Sequence, residues 1–100
     1  MNIQHQVENN QFCVEVEGHL AHVDYVVAAG ALDIRHTIVP QEIGGRGIAG
    51  ALVKAAYDYA REAGLQPMAT CSYAVKWLEK HPEYQGCASG DYAGEGTCAL

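Results

Sequence analysis

Hydrophobic and polar residues alternate with a period of two through the N-terminal part of the chain. The alternation is clean in residues 11–17, 20–28 and 31–39 and weaker in residues 2–8. It predicts an edge strand followed by three further strands, with these side chains pointing inward: Phe12, Val14, Val16, Ala21, Val23, Tyr25 and Val27. Because short turns at Gly18 and Gly30 join these segments, the pattern indicates an antiparallel meander.

The last of these strands, residues 31–39, carries a histidine in its apolar set. Alternation predicts that Leu32, Ile34, His36 and Ile38 share one face. Asp33, Arg35 and Thr37 are then expected on the other face. A histidine on an apolar face is most often a hydrogen-bonded core residue, but its imidazole also titrates near neutral pH and suits a cleft.

After Pro40 the hydrophobic spacing changes to three and four residues, which predicts a helix from Gly47 or Ile48 to Ala63. Gly64 is the expected C-terminal stop. Residues 65–70 then return as a strand, which completes a βαβ unit and should lie parallel to residues 31–39. The fold class is therefore α/β (α+β), with a mixed, mostly antiparallel twisted sheet around a central βαβ unit.

A second helix is predicted after this strand, with Ser72 as its N-cap and Lys80 as its last residue. Pro82 prevents its extension. Beyond Tyr84 the chain is rich in glycine and lacks periodicity. We expect a single domain over residues 1–84 and a mobile tail over residues 85–100.

Composition sets broad limits on the protein. One hundred residues with 49% apolar content suffice for one small domain. The sequence has no run of 18 apolar residues and no signal-peptide pattern at its N-terminus, which predicts a cytoplasmic protein without a membrane partner. Its four cysteines show no C-x-x-C spacing, so reduced thiols are expected rather than disulfides, zinc or another metal.

Charge is distributed unevenly along the chain. All six basic residues fall in residues 35–80 together with four acids, which gives this block a net charge of +2. The other eight acids lie outside it with no Lys or Arg, giving −8. Such clustering also arises by chance in a short chain. It nevertheless suits an anionic ligand near the middle of the sequence and argues against nucleic acid as a partner.

A glycine-rich turn connects the strand ending at Val39 to the first helix. Gly44, Gly45 and Gly47 leave backbone N–H groups unshielded at a helix N-terminus, where the helix dipole favours an anion. Arg46 adds a positive charge. The junction therefore predicts a phosphate-binding site.

Three kinds of phosphate-binding turn have related sequences. A P-loop needs Lys and then Ser or Thr after its last glycine, but Gly50 is followed by Ala51. The dinucleotide fingerprint is present as Gly45, Gly47 and Gly50, but the next strand ends without an acidic residue and the chain is too short for that domain. The acetyl-CoA pyrophosphate turn remains.

This stretch resembles motif A of the GNAT N-acetyltransferase superfamily, which reads Gln or Arg, two residues, Gly, one residue, then Gly or Ala. Gly47 and Ala49 fill the last two places, whereas Gly44 stands where Gln or Arg belongs. H-T-x-V-P from His36 to Pro40 is similar to the short, single-domain YjdJ-type branch. A second stretch similar to that branch contains Cys71, Ser72, Tyr73, Trp77, His81 and Pro82.

The resemblance covers residues 16–84 and implies a minimal acyl-CoA N-acyltransferase (GNAT) fold. It also implies acetyl transfer from acetyl-CoA to an amine, with the pantetheine arm lying in a V-shaped split between residues 31–39 and 65–70. The implied binding residues are Ile38, Val39, Gly44, Gly45, Arg46, Gly47, Ile48, Ala49 and Tyr73. The alternative is a CoA or acyl-CoA binding module without turnover.

Cys71 and His36 are the catalytic candidates. Cys71 precedes a helix, whose N-terminus makes a thiol more reactive. In one mechanism Cys71 takes the acetyl group with His36 as its base. In the other, which is commoner in the superfamily, the amine attacks acetyl-CoA directly; His36, Asp33 or water takes its proton, and Cys71 or Tyr73 protonates the leaving thiolate. Cys71 is equally compatible with a packing role.

Larger members of the superfamily place two helices between their first strands as walls of the acceptor site. Here a short turn joins residues 11–17 to 20–28, so the acceptor side should be open. An open site suits a protein or peptide lysine, or an N-terminus, and also fits a weak or vestigial enzyme. A monomer is the simplest expectation.

Overall fold

The computed structural model describes residues 2–88, and the centre of this part of the chain is a six-stranded sheet. The strands lie side by side in chain order: β1 (Gln4–Gln6), β2 (Gln11–Val16), β3 (His19–Ala28), β4 (Ala31–Ile38), β5 (Gln66–Ala69) and β6 (Cys87–Ala88). The first four strands pair antiparallel, and β4, β5 and β6 pair parallel. The predicted mixed, mostly antiparallel sheet with a βαβ unit is confirmed.

Two tight turns connect the antiparallel strands from β2 to β4. Glu17 and Gly18 have φ values of 52° and 79°, and Ala29 and Gly30 have 53° and 78°. Two successive left-handed residues match the twist of the strands they join. The meander predicted from the alternating pattern is therefore present, with no room for helices between β2 and β3.

Two α-helices cover one face of the sheet: α1 (Ile48–Glu62) and α2 (Ser72–Lys80). They contribute to one continuous core with the inward side chains of the strands, including Leu52, Ala56, Ala60, Val75, Trp77 and Leu78. Gly64 ends α1 with φ of 74°, and the N–H of Leu65 donates to the carbonyl of Ala60 at 2.7 Å. No helix of the described residues is long and apolar enough to span a bilayer.

A β-bulge in β4 reverses the faces expected for its second half. Asp24 pairs with His36 while the next residue, Tyr25, pairs with Ile34, so Arg35 is an extra residue. Beyond this bulge Thr37 lies opposite the buried Val23, on the helix side of the sheet. The prediction that His36 and Ile38 share a face with Leu32 and Ile34 is therefore wrong, because an inserted residue shifts the alternation by one.

The ends of several elements also differ from expectation. The predicted edge strand over residues 2–8 is shorter, since a 3-10 helix, Val7–Asn9, follows β1. Val27, predicted to point inward, is 45% exposed near the end of β3. Cys71 rather than Ser72 takes the N-cap of α2, and no side chain caps that helix by a hydrogen bond.

Regular structure extends past Tyr84, where a tail had been expected. Cys87–Ala88 pairs with β5 in the register Met68 to Cys87 and Ala69 to Ala88. The first part of the predicted mobile tail, residues 85–100, therefore contributes a short strand to the sheet. Its remainder, residues 89–100, lies outside the described residues.

The second face of the sheet is left uncovered by both α-helices of residues 2–88. Leu20, Val26 and Ile38 stand on this face with exposures of 53%, 40% and 49%. His22 and Asp24 lie between Leu20 and Val26 on β3, and His22 Nδ1 is 3.0 Å from Asp24 Oδ1.

Candidate functional site

The two parallel strands of the βαβ unit separate at Ile34. Ala31 to Ile34 pair with β5, and the carbonyl of Ile34 accepts the last two bonds, from the N–H groups of Thr70 at 2.9 Å and Cys71 at 3.1 Å. Residues 36–38 of β4 then pair only with β3 among the described strands, while the chain after β5 turns into α2. A split therefore opens between β4 and the start of α2.

Hydrogen bonds between side chains hold the two strands together at the closed end of this split. The Thr70 hydroxyl donates to the Asp33 carboxylate at 2.9 Å, and Arg35 Nη1 donates to Thr70 Oγ1 at 3.2 Å. Arg35 Nε also lies 3.5 Å from Asp33 Oδ2. Asp33, one of the bases considered for the amine, is thus engaged in holding β4 to β5.

The glycine turn leads from β4 to α1 through a short 3-10 helix, Gln41–Ile43. Ile43 and Ile48 are buried and anchor the turn on the core from both ends. Between them Gly45 and Gly47 take left-handed φ values of 77° and 75°, and Gly47 is the N-cap of α1. The exposed backbone of the turn is thereby held in one place by two apolar contacts.

The backbone amides of residues 45–50 have no protein acceptor within residues 2–88. The first bond of α1 is donated by Ala51 to the carbonyl of Gly47 at 3.1 Å. A β-carbon added to Gly45 or Gly47 would meet no atom within 4 Å, so open space lies next to both residues. These amides are available to an anion, as expected at a helix N-terminus.

The Arg46 side chain, next to these amides, forms an ion pair with an acidic residue. Its guanidinium donates to the carboxylate of Glu17, which lies in the turn between β2 and β3. Both side chains are about half exposed, at 48% and 60%. The positive charge predicted to face a phosphate is therefore shared with an acidic residue that is distant in sequence.

Cys71 lies at the open side of the split and contacts Thr37. Its Sγ is 3.4 Å from Thr37 Oγ1, and the residue is half-buried as the N-cap of α2. His36, the proposed base for this thiol, lies on the opposite, uncovered face of the sheet. The structure thus brings Cys71 together with Thr37 and leaves His36 on the solvent side.

Tyr73 lies beside the first turn of α1. A β-carbon on Gly50 would be 3.4 Å from the Tyr73 hydroxyl and 3.9 Å from Trp77 Nε1, so the missing side chain lets α2 approach α1 closely. Tyr73 is 43% exposed. Its hydroxyl is therefore next to Gly50, one of the residues whose amides have no acceptor in the described part of the chain.

Three residues of the site were not found by sequence reasoning: Glu17, Thr37 and Thr70. Alternation of side chains runs unbroken through residues 31–39, so the extra residue at Arg35 leaves no mark in the pattern. Glu17 and Thr70 act through partners 29 and 37 residues away. Only a pairing register can reveal such contacts.

Comparison with known proteins agrees with this geometry. A family model described as GCN5-related N-acetyl-transferase matches residues 11–87, and the chain belongs to this family. Proteins named Protein NATD1 from Homo sapiens and Mus musculus are each 33% identical to it over 85 residues, covering 82% of this chain and 75% and 77% of theirs.

A solved structure shows the same fold. It is the NMR solution structure of a GCN5-like protein from Staphylococcus aureus, provisionally assigned as an N-acetyltransferase. The two chains are 32% identical and superpose with a TM-score of 0.68, over 94% of this chain and 95% of that one. The GNAT fold is thus confirmed, and acyl transfer is the general chemistry of the family. Membership of the YjdJ-type branch stays a prediction.

Proposed function

We propose that the protein transfers an acetyl group from acetyl-CoA to an amine. The observation that carries this proposal is the run of amides at residues 45–50 that lack an acceptor within residues 2–88, next to a split between two parallel strands. A pyrophosphate bound there would be held mainly by backbone N–H groups. The absence of Gln or Arg at Gly44 then removes a side chain but none of these donors.

Several residues are arranged to hold the rest of acetyl-CoA. Arg46 supplies positive charge to the pyrophosphate, and Gly44, Ile48 and Ala49 complete the turn. Ile38 and Val39, at the end of β4, border the split that suits the pantetheine arm, and the Tyr73 hydroxyl faces the first turn of α1. When bound, acetyl-CoA supplies an activated acyl group as a thioester.

The placement of His36 favours direct attack by the amine over transfer through the enzyme. An acetyl-enzyme route needs His36 to deprotonate Cys71, but the two residues lie on different sides of β4. His36 is instead exposed to an amine that approaches the uncovered face and can take its proton there. Cys71, or the Tyr73 hydroxyl, is then the proton donor to the leaving sulfur.

The acceptor side supports a large or protein-borne substrate. No α-helix of residues 2–88 covers the second face of the sheet, so little structure there restricts acceptor size. We therefore propose a lysine side chain or N-terminus of a protein or peptide as acceptor, acted on by a monomer in the cytoplasm.

Thermal unfolding with and without CoA tests the first half of the proposal. CoA at 100 times its dissociation constant should raise the free energy of unfolding by about 2.7 kcal/mol. Cys71→Ala should retain this stabilisation, because the described side-chain contact of the thiol is with Thr37 and not with the glycine turn. An unchanged unfolding temperature at saturating CoA concentrations would refute the proposed binding site.

Acetyl transfer from acetyl-CoA to a panel of lysine peptides tests the second half. Cys71→Ala should abolish transfer if the thiol protonates the leaving sulfur, and His36→Asn should lower the rate by about 100-fold if the imidazole is the base. Stabilisation by CoA without transfer to any peptide would favour the alternative, a CoA-binding module without turnover. An acetyl adduct found on Cys71 by mass spectrometry would favour the enzyme-linked route.

A further inference from the structure

One side-chain contact crosses the open part of the split. Thr37 Oγ1 on β4 and Cys71 Sγ at the start of α2 are 3.4 Å apart. We propose that Thr37 is a positioning residue that acts through Cys71, orienting the thiol toward the leaving sulfur of the thioester. The catalytic part of this inference rests on the proposed function.

The bulge in β4 is what places Thr37 in the split. If Arg35 took a regular place in the ladder instead of bulging, alternation would put Thr37 on the uncovered face with Asp33. With the bulge, Thr37 lies opposite Val23 and faces the side from which α2 begins. Bulges commonly redirect one side chain in this manner beside functional sites.

The backbone of Cys71 is already fixed by other bonds. Its N–H donates to the carbonyl of Ile34 at 3.1 Å, and its carbonyl accepts from the N–H of Val75 at 3.0 Å. The neighbouring Thr70 is clamped to Asp33. What remains variable is the direction of the Cβ–Sγ bond, and the Thr37 hydroxyl is the polar group that selects it.

A hydroxyl suits this role because it both donates and accepts hydrogen bonds. In the resting protein the Cys71 thiol donates to Thr37 Oγ1. When the thiol gives its proton to the leaving sulfur, the Cys71 S–H bond breaks and an S–H bond forms on the departing thiol. The Thr37 hydroxyl can then rotate and donate to the Cys71 sulfur, which now bears the negative charge.

Alkylation of the ligand-free protein by iodoacetamide tests the contact independently of any enzymatic activity. The rate at Cys71 is followed by mass spectrometry of its peptide, which separates it from the other cysteines. Thr37→Val keeps the branched shape but lacks the hydroxyl, and should slow alkylation of Cys71 by about five- to tenfold. Thr37→Ser should react within about twofold of the wild-type rate, since it retains the hydroxyl.

Ser72→Ala is the matched control. It removes a hydroxyl next to Cys71 that makes no capping bond, and should leave the alkylation rate unchanged. Thermal unfolding of each variant checks that the fold is retained. The proposal would be overturned if Thr37→Val and the wild type were alkylated at Cys71 at equal rates. It would also be overturned if Thr37→Val and Thr37→Ser lowered the alkylation rate equally.

Acetyl-transfer kinetics test the catalytic part of the proposal. Thr37→Val should lower kcat by about tenfold while stabilisation by CoA stays at the wild-type level, because the glycine turn is untouched. An unchanged kcat would overturn the role of Thr37 in transfer. If the wild-type protein transfers no acetyl group, the proposed function fails, whereas the alkylation rates still decide whether Thr37 orients the thiol.

Discussion

At the scale of single residues, the charge next to the glycine turn is balanced by a partner from another part of the chain. Arg46 is bound to Glu17 rather than left open to a ligand. Both side chains are exposed, so their attraction is weak and screened by salt. An anion at the turn and Glu17 therefore compete for one guanidinium.

Replacing Glu17 by Gln should strengthen CoA binding at low salt. Loss of the competing carboxylate frees Arg46, and the gain in affinity should be about two- to fivefold, since exposed ion pairs contribute about 0.2–1 kcal/mol. Isothermal titration calorimetry at low and high salt measures the effect, which should disappear at high salt.

Glu15→Gln is the matched control for this change. Glu15 is an exposed acid on β2, two residues before Glu17, without a described ion pair, and its substitution alters the net charge equally. An equal gain in affinity for both variants would attribute the effect to net charge and contradict competition for Arg46.

At this scale the sequence predicted the glycine turn well, but it did not predict the polar contacts of the side chains around the turn. The missing side chains of Gly45 and Gly47 and the start of a helix at Ile48 were sufficient to predict unshielded amides. Nothing local indicates that Glu17 would reach Arg46. Contacts of that kind depend on the strand register and the placement of a turn.

At the scale of secondary-structure elements, the turn before α1 depends on a left-handed residue at its N-cap. Gly47 has φ of 75° and open space where a β-carbon would be. A substitution there therefore meets no steric clash with neighbouring residues. Its cost comes from backbone strain alone.

Gly47→Ala should lower the free energy of unfolding by about 1–2 kcal/mol, the usual penalty for a left-handed residue with a β-carbon. Urea unfolding measures this loss. Gly44→Ala is the control, because Gly44 has an ordinary extended conformation with φ of −69°, and its β-carbon would make a contact of 3.4 Å. Equal stability of Gly47→Ala and the wild type would show that the helix does not start with the described geometry.

Element order and element type followed well from the hydrophobic spacing. The helix predicted to Ala63 ends at Glu62, and the second helix ends at Lys80 as expected. The bulge at Arg35 could not be predicted, because the residues after it continue to alternate in polarity. For the same reason His36 was assigned to the wrong face.

At the scale of the whole molecule, β1 packs against the rest of the protein through a half-buried histidine. The His5 ring stacks on Phe12 with centroids 4.0 Å apart, meets Tyr59 at 4.5 Å and hydrogen-bonds the Tyr25 hydroxyl. Burial lowers the pKa of His5 below its ordinary value of 6.5. The folded protein therefore binds this proton less readily than the unfolded chain.

The stability contributed by this arrangement should be complete above pH 6.5 and lost as the pH falls through 6.5 toward the lower pKa of folded His5. Urea unfolding at intervals from about pH 8 to pH 5 measures the decline. His5→Asn should be less stable at neutral pH and should lack this part of the pH dependence. The same slope in the variant and the wild type would exclude His5 as its source.

The overall architecture was accessible from sequence because one βαβ unit and a meander leave few arrangements for a chain of this length. Two properties of the whole molecule were harder to foresee. The first is the pairing of Cys87–Ala88 with β5. This segment follows a glycine and is only two residues long, so it shows almost no hydrophobic pattern. The second is the partial burial of His5, which depends on aromatic residues from β2, β3 and α1 meeting at one edge.

The single extra residue in β4 also limits how far this strand can be simplified. Deleting Arg35 would restore uniform pleating and leave His36, Thr37 and Ile38 opposite their present partners on β3, so Thr37 would still face the helices. The same deletion would remove the guanidinium that donates to Thr70 and lies beside Asp33. A redesign guided only by regularity would thus keep the hydroxyl next to the sulfur at position 71 and weaken the attachment of β4 to the chain after β5.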